Sequence, residues 1–383
     1  MRISEVRIHP ITLPFAQHFS HSQKKDMSAD NILLEIVGED GGLRGYGEGA
    51  PRLYVTGESQ AGAVKTAYNL VRSESFPWDS DSIAEIWKFI EGHREGRETN
   101  SALCSVEIAL LDALGKSQSK PIIDYLPAGF YTGKVHYGAT VPLGLEERIT
   151  KICGIIKTLG LEHVRVKLGS VFIQNERSMR IVRSSLGDSC ELRIDVNGAW
   201  DRDLAFKHLN LLSEHRVKVV EQPLMHGNKD LGGLAAELRA RGINLMADES
   251  ACTLRDVEEI IDQGFFNMVN VRLSKCGGFN RSLKIIDLLR KSNLSFQIGC
   301  QLGESGVLSA AGRSLCLVSS DAAYCDGSYD SFLLKENTTT EDVTFGPGGV
   351  AGPLRGYGLG VEVDLRKLER LSRVSERIII RRR

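Results

Sequence analysis

The 383 residues carry no charge excess of either sign: 48 Lys plus Arg stand against 49 Asp plus Glu, a formal net charge of -1. Holding a phosphate backbone or an anionic membrane surface draws on surplus basic side chains, so the composition speaks against a nucleic-acid or membrane partner. No apolar run approaches the roughly 18 residues that a spanning helix needs. The eight cysteines form no C-x-x-C pair, and a chain of this size builds a core without covalent staples; they read as reduced, mostly buried thiols. No apolar stretch follows the single Arg of Met1-Arg-Ile-Ser-Glu-Val, which sets the expectation of a cytoplasmic protein without a secretory signal. The length rules out one small domain and suits two.

What is present changes character along the chain. Residues 1 to about 50 alternate and turn like a small antiparallel sheet, through Ile3–Leu13, Ile32–Val37, a Gly41-Gly42 turn and Leu43–Glu48. Between the first two strands, Phe19–Asp30 is polar and reads as a plain surface loop or as one that closes over a ligand. From Glu58 to about Gln118 the period turns helical, most clearly at Leu103, Val106, Leu110 and Leu114 after an Asn100 cap. Beyond about residue 130, eight short β-branched runs alternate with amphipathic helices, the pattern of parallel βα units. They are Val135–Leu143, His163–Leu168, Leu192–Val196, Val217–Val220, Leu245–Ala247, Met268–Leu273, Ser295–Ile298 and Ala322–Cys325. The expected division is an α+β cap over 1–130, a (β/α) barrel over 131–335, and a glycine-rich segment over 336–383 that returns to the cap. Its last residues, Ile378–Arg383, read as a frayed or solvated terminus rather than a basic partner-binding tag.

Several of the runs end in or beside a charged residue, and these residues recur at steps of 28, 26, 27 and 27: Lys167, Asp195, Glu221, Asp248 and Lys275. A barrel of about 250 residues spends roughly 31 on each βα unit, so these five occupy matching strand ends and converge on one barrel mouth. Asp195, Glu221 and Asp248 offer hard oxygen ligands with no thiolate or imidazole, which suits one Mg²⁺ with positions left open for substrate oxygens. Any one of these acids might equally pair with a lysine or cap a helix; three on consecutive strand ends weaken that alternative. Lys167 and Lys275 then face each other across the metal as two bases. Lowering a lysine from pKa ~10.4 to about 8 takes roughly 3 kcal/mol, and Mg²⁺, Arg165 and the opposing lysine all push that way.

Arg165, two residues before Lys167, and Asn197, two after Asp195, share the inward side. Arg165, permanently charged, steadies a carboxylate or a neighbouring lysine but is not a base. A cation on a substrate carboxylate stabilises the enolate formed when a proton leaves the adjacent carbon. Return of the proton from the opposite face is epimerisation or racemisation; with one active lysine the outcome is elimination or cycloisomerisation.

Val164-Arg-Val-Lys-Leu-Gly169, Asp195-Val-Asn197, Val220-Glu-Gln-Pro223, Ala247-Asp-Glu-Ser250 and Ser274-Lys-Cys-Gly-Gly278 together resemble the enolase superfamily, and within it the muconate lactonizing enzyme subgroup. Gly45-Tyr-Gly-Glu-Gly49, Thr56-Gly-Glu58 and Ser101–Asp112 are similar to that subgroup's capping domain. The resemblance implies an α/β fold, a modified TIM barrel under an α+β cap built from the N-terminal region and the C-terminal tail. It also implies one Mg²⁺ on Asp195, Glu221 and Asp248, acid/base lysines at 167 and 275, and a small-molecule carboxylate as substrate. Arg165-Val-Lys167 departs from the usual Lys-x-Lys, which bears on substrate preference. Dipeptide epimerases of the subgroup usually carry Asp-x-Asp at the eighth strand to hold the dipeptide's ammonium group. Here Asp326 and Ser328 stand in that place. Glu304 is a further acid expected near the ligand, and Arg52, Thr56, Lys24 or Lys25 of the cap are expected to reach over it.

The resulting expectation is an Mg²⁺-dependent isomerase that removes a proton next to a carboxylate, epimerising a dipeptide or racemising an amino-acid derivative. A muconate-type cycloisomerase or an o-succinylbenzoate synthase-like dehydratase is the alternative on the same site. A Schiff-base enzyme on Lys275 or Lys167 and a ligand-binding barrel without activity are weaker readings. A homo-oligomer is left open.

Overall fold

Three strands open the chain, β1 (Ile3–His21), β2 (Lys24–Gly38) and β3 (Arg44–Gly49), each antiparallel to the next. The computed structural model describes residues 1–21, 24–372 and 376–382, and the backbone alone at 17–21 and 24–26. Pairing of β1 with β2 continues past a register shift at Pro14 and Phe19 to Phe19↔Asp26 and His21↔Lys24. The segment expected as a loop at 19–30 is therefore largely the end of a hairpin: its polar backbone is satisfied by cross-strand bonds. The side chains of Lys24 and Lys25, and of the rest of 17–26, lie outside the described residues.

The glycines of β3 explain how the cap is layered. Gly45, Gly47 and Gly49 fall on one face of the strand, where an added Cβ would come within 2.5 Å of the Ala113 Cβ, 2.1 Å of the Ser105 carbonyl oxygen and 2.1 Å of the Ser101 carbonyl oxygen. The helix Asn100–Ser117 thus lies directly on the strand backbone. Four helical residues rise about 6 Å and two strand residues about 6.7 Å, so the two repeats keep step.

The other face of β3 carries Glu48, which reaches into the second half of the molecule. Its carboxylate accepts the backbone N–H groups of Ser305 (2.9 Å) and Leu308 (3.0 Å) and the Ser305 hydroxyl (2.6 Å), at the start of the helix Gly306–Leu317. Glu107, on the helix Asn100–Ser117, likewise accepts the Asn280 N–H at 2.9 Å, at the start of the helix Phe279–Lys291. Helix N-termini favour negative charge and leave N–H groups unpaired, so two buried acids of the cap seat it on two barrel helices.

The chain then passes through β4 (Val135–His136) into a parallel sheet of eight strands paired in chain order: β5 (Ala139–Val141), β6 (His163–Lys167), β7 (Glu191–Asp195), β8 (Val217–Glu221), β9 (Asn244–Ala247), β10 (Met268–Val271), β11 (Ser295–Ile298) and β12 (Tyr324–Cys325). The sheet curls so that its first and last strands meet through a bridge between Tyr137 and Cys325, with the Gly138 N–H donating to the Cys325 carbonyl at 2.9 Å. The architecture is the expected (β/α) barrel with a separate α+β cap. Val219, Met246 and Met268, with Tyr324 packed against them, fill the interior beneath the strand ends.

β13 (Val350–Ala351) pairs with β4, and β14 (Ile378–Arg381) runs antiparallel to β1 from Ile8↔Ile378 to Glu5↔Arg381. The segment expected to fray is thus a paired edge strand over 378–381, held because Ile380 is buried. The eight cysteines are free thiols, six of them buried, as the sequence reading expects. Among the described residues, no helix is long and apolar enough to cross a membrane.

Candidate active site

The register of the barrel brings the charged strand ends together. Lys167 of β6 pairs with Asp195 of β7, and Asp195 with Glu221 of β8. The Lys167 ammonium donates to Asp195 Oδ2 at 2.5 Å and to Asn197 Oδ1 at 2.8 Å. Arg165, two residues back on β6, donates to Glu221 Oε2 at 3.2 Å and to Thr140 Oγ1 at 3.3 Å, and lies 3.6 Å from Asp195 Oδ2. Asp195, Glu221 and Asp248 are all fully buried. Burial raises the pKa of Glu221, but the Arg165 and Arg272 guanidinium groups outweigh it and hold the acid at about 2. Asp195 is pushed up, by burial first and then by the negative charge of Glu221.

On the sixth barrel strand the lysine stands beyond the strand end. The strand ends at Val271, and Leu273–Cys276 is a single helical turn. That turn carries Lys275 behind the site, fully buried, where its ammonium donates to Asp248 Oδ1 (3.0 Å), the Asp248 carbonyl (2.7 Å) and the Asn270 carbonyl (2.5 Å). Burial works against its charge, but Asp248 outweighs this and the lysine pKa rises. Arg272 takes the cavity-facing place. Its guanidinium donates to Asp248 Oδ2 and, at 3.3 Å, to Glu221 Oε1. Asn270, two residues earlier on the same inward side, donates to Glu221 Oε1 at 2.6 Å.

The expected substrate contacts separate in the same way. Asp326 is held by Arg193, at 2.9 and 3.2 Å, and stands 3.5 Å from Arg165; burial raises its pKa, but the two guanidinium groups outweigh that and hold it below the ordinary carboxylate range. Ser328 accepts from Arg313 at 3.0 Å. Arg52 donates to the carbonyls of Leu302 and Asp30, at 3.1 Å each, and to Asn31 Oδ1 at 2.8 Å, tying cap strand to barrel loop. Thr56 donates to Glu58 at 2.8 Å. Glu304 accepts the Gln301 N–H at 2.6 Å, and burial pushes it up to about 8.

A cavity of about 300 Å³ opens at the strand ends. Arg165, Lys167, Asn197, Arg272, Glu304 and Ser328 are on its wall; Arg52, Thr56, Asp326 and Lys275 are not among the described residues that line it. The sequence reading missed Arg272, Asn270 and Arg193, and also Glu249, which accepts from Asn197 at 2.9 Å and is pushed up to about 8 by burial and by Asp248. A period of two through Asn270 and Arg272, and through Arg193 and Asp195, is the signal that marks three of them.

Among the described residues, no three acidic, histidine or cysteine side chains are gathered closely enough to hold a metal ion as they stand, because Arg272 bridges Glu221 and Asp248 while Arg165 spans Asp195 and Glu221. The donor chemistry nevertheless fits a hard divalent cation: three buried carboxylates on neighbouring strand ends, with Asp195 already destabilised by the like charge beside it.

The family described as Enolase C-terminal domain-like matches residues 150–367, more than half of the chain. The chain belongs to the enolase superfamily. Within the superfamily it is similar to a hydrophobic dipeptide epimerase of Enterococcus faecalis, 28% identical over 336 residues that cover 85% of this chain and 91% of that protein. It is also similar to muconate cycloisomerase 1 of Rhodococcus opacus, 27% identical, with 88% and 90% covered. The crystal structure of a dipeptide epimerase from Cytophaga hutchinsonii, complexed with Mg and the dipeptide D-Ala-L-Val, superimposes with a TM-score of 0.86 at 25% identity, covering 99% of this chain and 100% of that one. These relatives place the chain in the muconate-lactonizing-enzyme-like subgroup, and this superfamily member is an enzyme.

Proposed function

We propose that this enzyme isomerises a small carboxylate by removing the proton from the carbon next to the carboxyl group, with Lys167 and Lys275 as the acid/base pair, one taking the proton and the other returning it from the opposite face, and that the reaction is epimerisation or racemisation of an amino-acid derivative. The observation that carries the reading is the place of Lys167, on the cavity wall and aimed by Asp195 and Asn197. Asp195, Glu221 and Asp248 are the residues to hold one Mg²⁺. A bound Mg²⁺ supplies Lewis-acid stabilisation of the negative charge that gathers on the substrate carboxyl as the proton leaves.

Arg165 and Arg272 line the same wall, and as permanent cations they orient a carboxylate without competing for the proton. Glu304, neutral near pH 7 at a pKa of about 8, leaves that end of the cavity cationic. The Asp326 carboxylate is already committed to Arg193 and Arg165, while Asp330, on the same cavity wall, keeps a buried carboxylate oxygen without a hydrogen-bond partner. The names of the relatives support the epimerase reading.

One observation favours a second reading, cycloisomerisation or dehydration. The Lys275 ammonium is held by Asp248 and the Asn270 carbonyl, and a Lys275 that serves there only as a cation leaves Lys167 as the one base. Incubation with Mg²⁺ in D₂O separates the two, using N-acyl amino acids, dipeptides and unsaturated dicarboxylic acids. Deuterium in both epimers supports epimerisation; ring closure or loss of water supports the second reading; no change in any pool contradicts both.

A further inference from the structure

We propose that the cavity has an apolar arm that seats a hydrocarbon substituent of the carboxylate substrate, so that the enzyme acts on acids whose far end is aliphatic or aromatic. The inference rests on the reading above for the carboxylate end.

The arm comes from the way the barrel closes. β5 and β12 meet at the Tyr137–Cys325 bridge, and beyond it the chain passes through Gly327 (φ 153°) and Ser328 (φ 53°) to Tyr329. The cavity is lined on this side by Thr140 of β5 and by Tyr329, just after β12. Tyr329 spends its hydroxyl on the Gly138 carbonyl at 2.7 Å, which leaves its ring as the lining. One side of the arm is Ile152, Ile155 and Ile156 of the helix Glu146–Leu159. The other is an aromatic cluster in which Phe345 lies 5.9 Å from Tyr329 and 5.6 Å from Phe332, between ring centroids.

The strand-end side of the same cavity carries Arg165, Lys167 and Arg272. One wall of cations continuous with one wall of isoleucine and phenylalanine matches a molecule that is a carboxylate at one end and a hydrocarbon at the other. Ile155 and Phe332 are 48% and 52% exposed; covering them with a ligand group removes apolar surface from water.

Titration calorimetry of the Mg²⁺-saturated full chain with butanoate, hexanoate, octanoate and decanoate tests the arm directly. Transfer of each methylene predicts about fourfold tighter binding until the arm is full. Ile155→Asn and Phe332→Ser, both at half-exposed positions and checked for folding by thermal melting, flatten that slope. A flat series in the unaltered protein, or an unchanged slope in both variants, overturns the proposal. So does loss of butanoate binding in Arg148→Met: Arg148 is the cation on the helix side of the wall, and such a loss puts the carboxyl at the wrong end. The D₂O experiment keeps the two claims apart. A steep series without exchange discards the reaction and keeps the arm, and exchange with a flat series does the reverse.

Discussion

The Lys275 ammonium donates to both the carboxylate (3.0 Å) and the carbonyl oxygen (2.7 Å) of Asp248, so this lysine fixes a strand-end acid from behind. Breaking a buried ion pair by removing one partner costs about 3–5 kcal/mol, and Lys275→Met is expected toward the lower end because Arg272 still faces Asp248. Urea unfolding checks this. Unchanged stability would contradict this.

Lys167 is the other lysine of the pair. Lys167→Ala lowers turnover by about 10²–10⁴-fold, the range for loss of a general base, and the variant is compared with Lys275→Met by thermal melting, because both remove a partner of a buried strand-end acid. Lys167→Arg keeps the charge and is equally inactive, since a guanidinium does not deprotonate. Activity in Lys167→Arg would mean the site needs only a cation there.

Glu221 sits between Arg165 and Arg272 and is ionised at any working pH, with a pKa of about 2. Glu221→Gln is expected to weaken Mg²⁺ binding, read by titration calorimetry at neutral pH, by more than the roughly 10–100-fold that loss of an outer-shell partner costs. Unchanged affinity places the cation elsewhere.

Glu107 links stability to pH. Burial pushes it up to about 7 from an ordinary 4.5, so between those values the folded state keeps a proton that the unfolded state has lost. Its contribution is complete below about pH 4.5 and falls as pH rises towards 7. Glu107→Gln is therefore expected to melt with a flatter pH dependence than the unaltered protein between pH 5 and 8. Parallel profiles for the two proteins would contradict this.

The barrel is legible in the chain because each βα unit has nearly the same length, which fixes where Asp195, Glu221 and Asp248 stand before any contact is known. Lys275 shows what counting leaves out. A helical turn follows β10, so a step of 27 from Asp248 lands behind the site, while the residue that leaves the strand inward is Arg272. The pairing of Asp326 is hidden for another reason: its partner Arg193 is 133 residues away in sequence, and no local pattern announces it. The pairing of 19–21 with 24–26 is hidden by the polar composition of the stretch, because cross-strand backbone bonds form whatever the side chain.

Deuterium exchange at the carbon next to the carboxyl group, followed by mass spectrometry in D₂O with Mg²⁺, tests the central claim most directly. The account predicts exchange in at least one carboxylate of the N-acyl amino acid, dipeptide and unsaturated-acid pools with the unaltered enzyme, and with Lys167→Ala none from the epimer whose proton Lys167 takes. Exchange at the same rate in Lys167→Ala would contradict it.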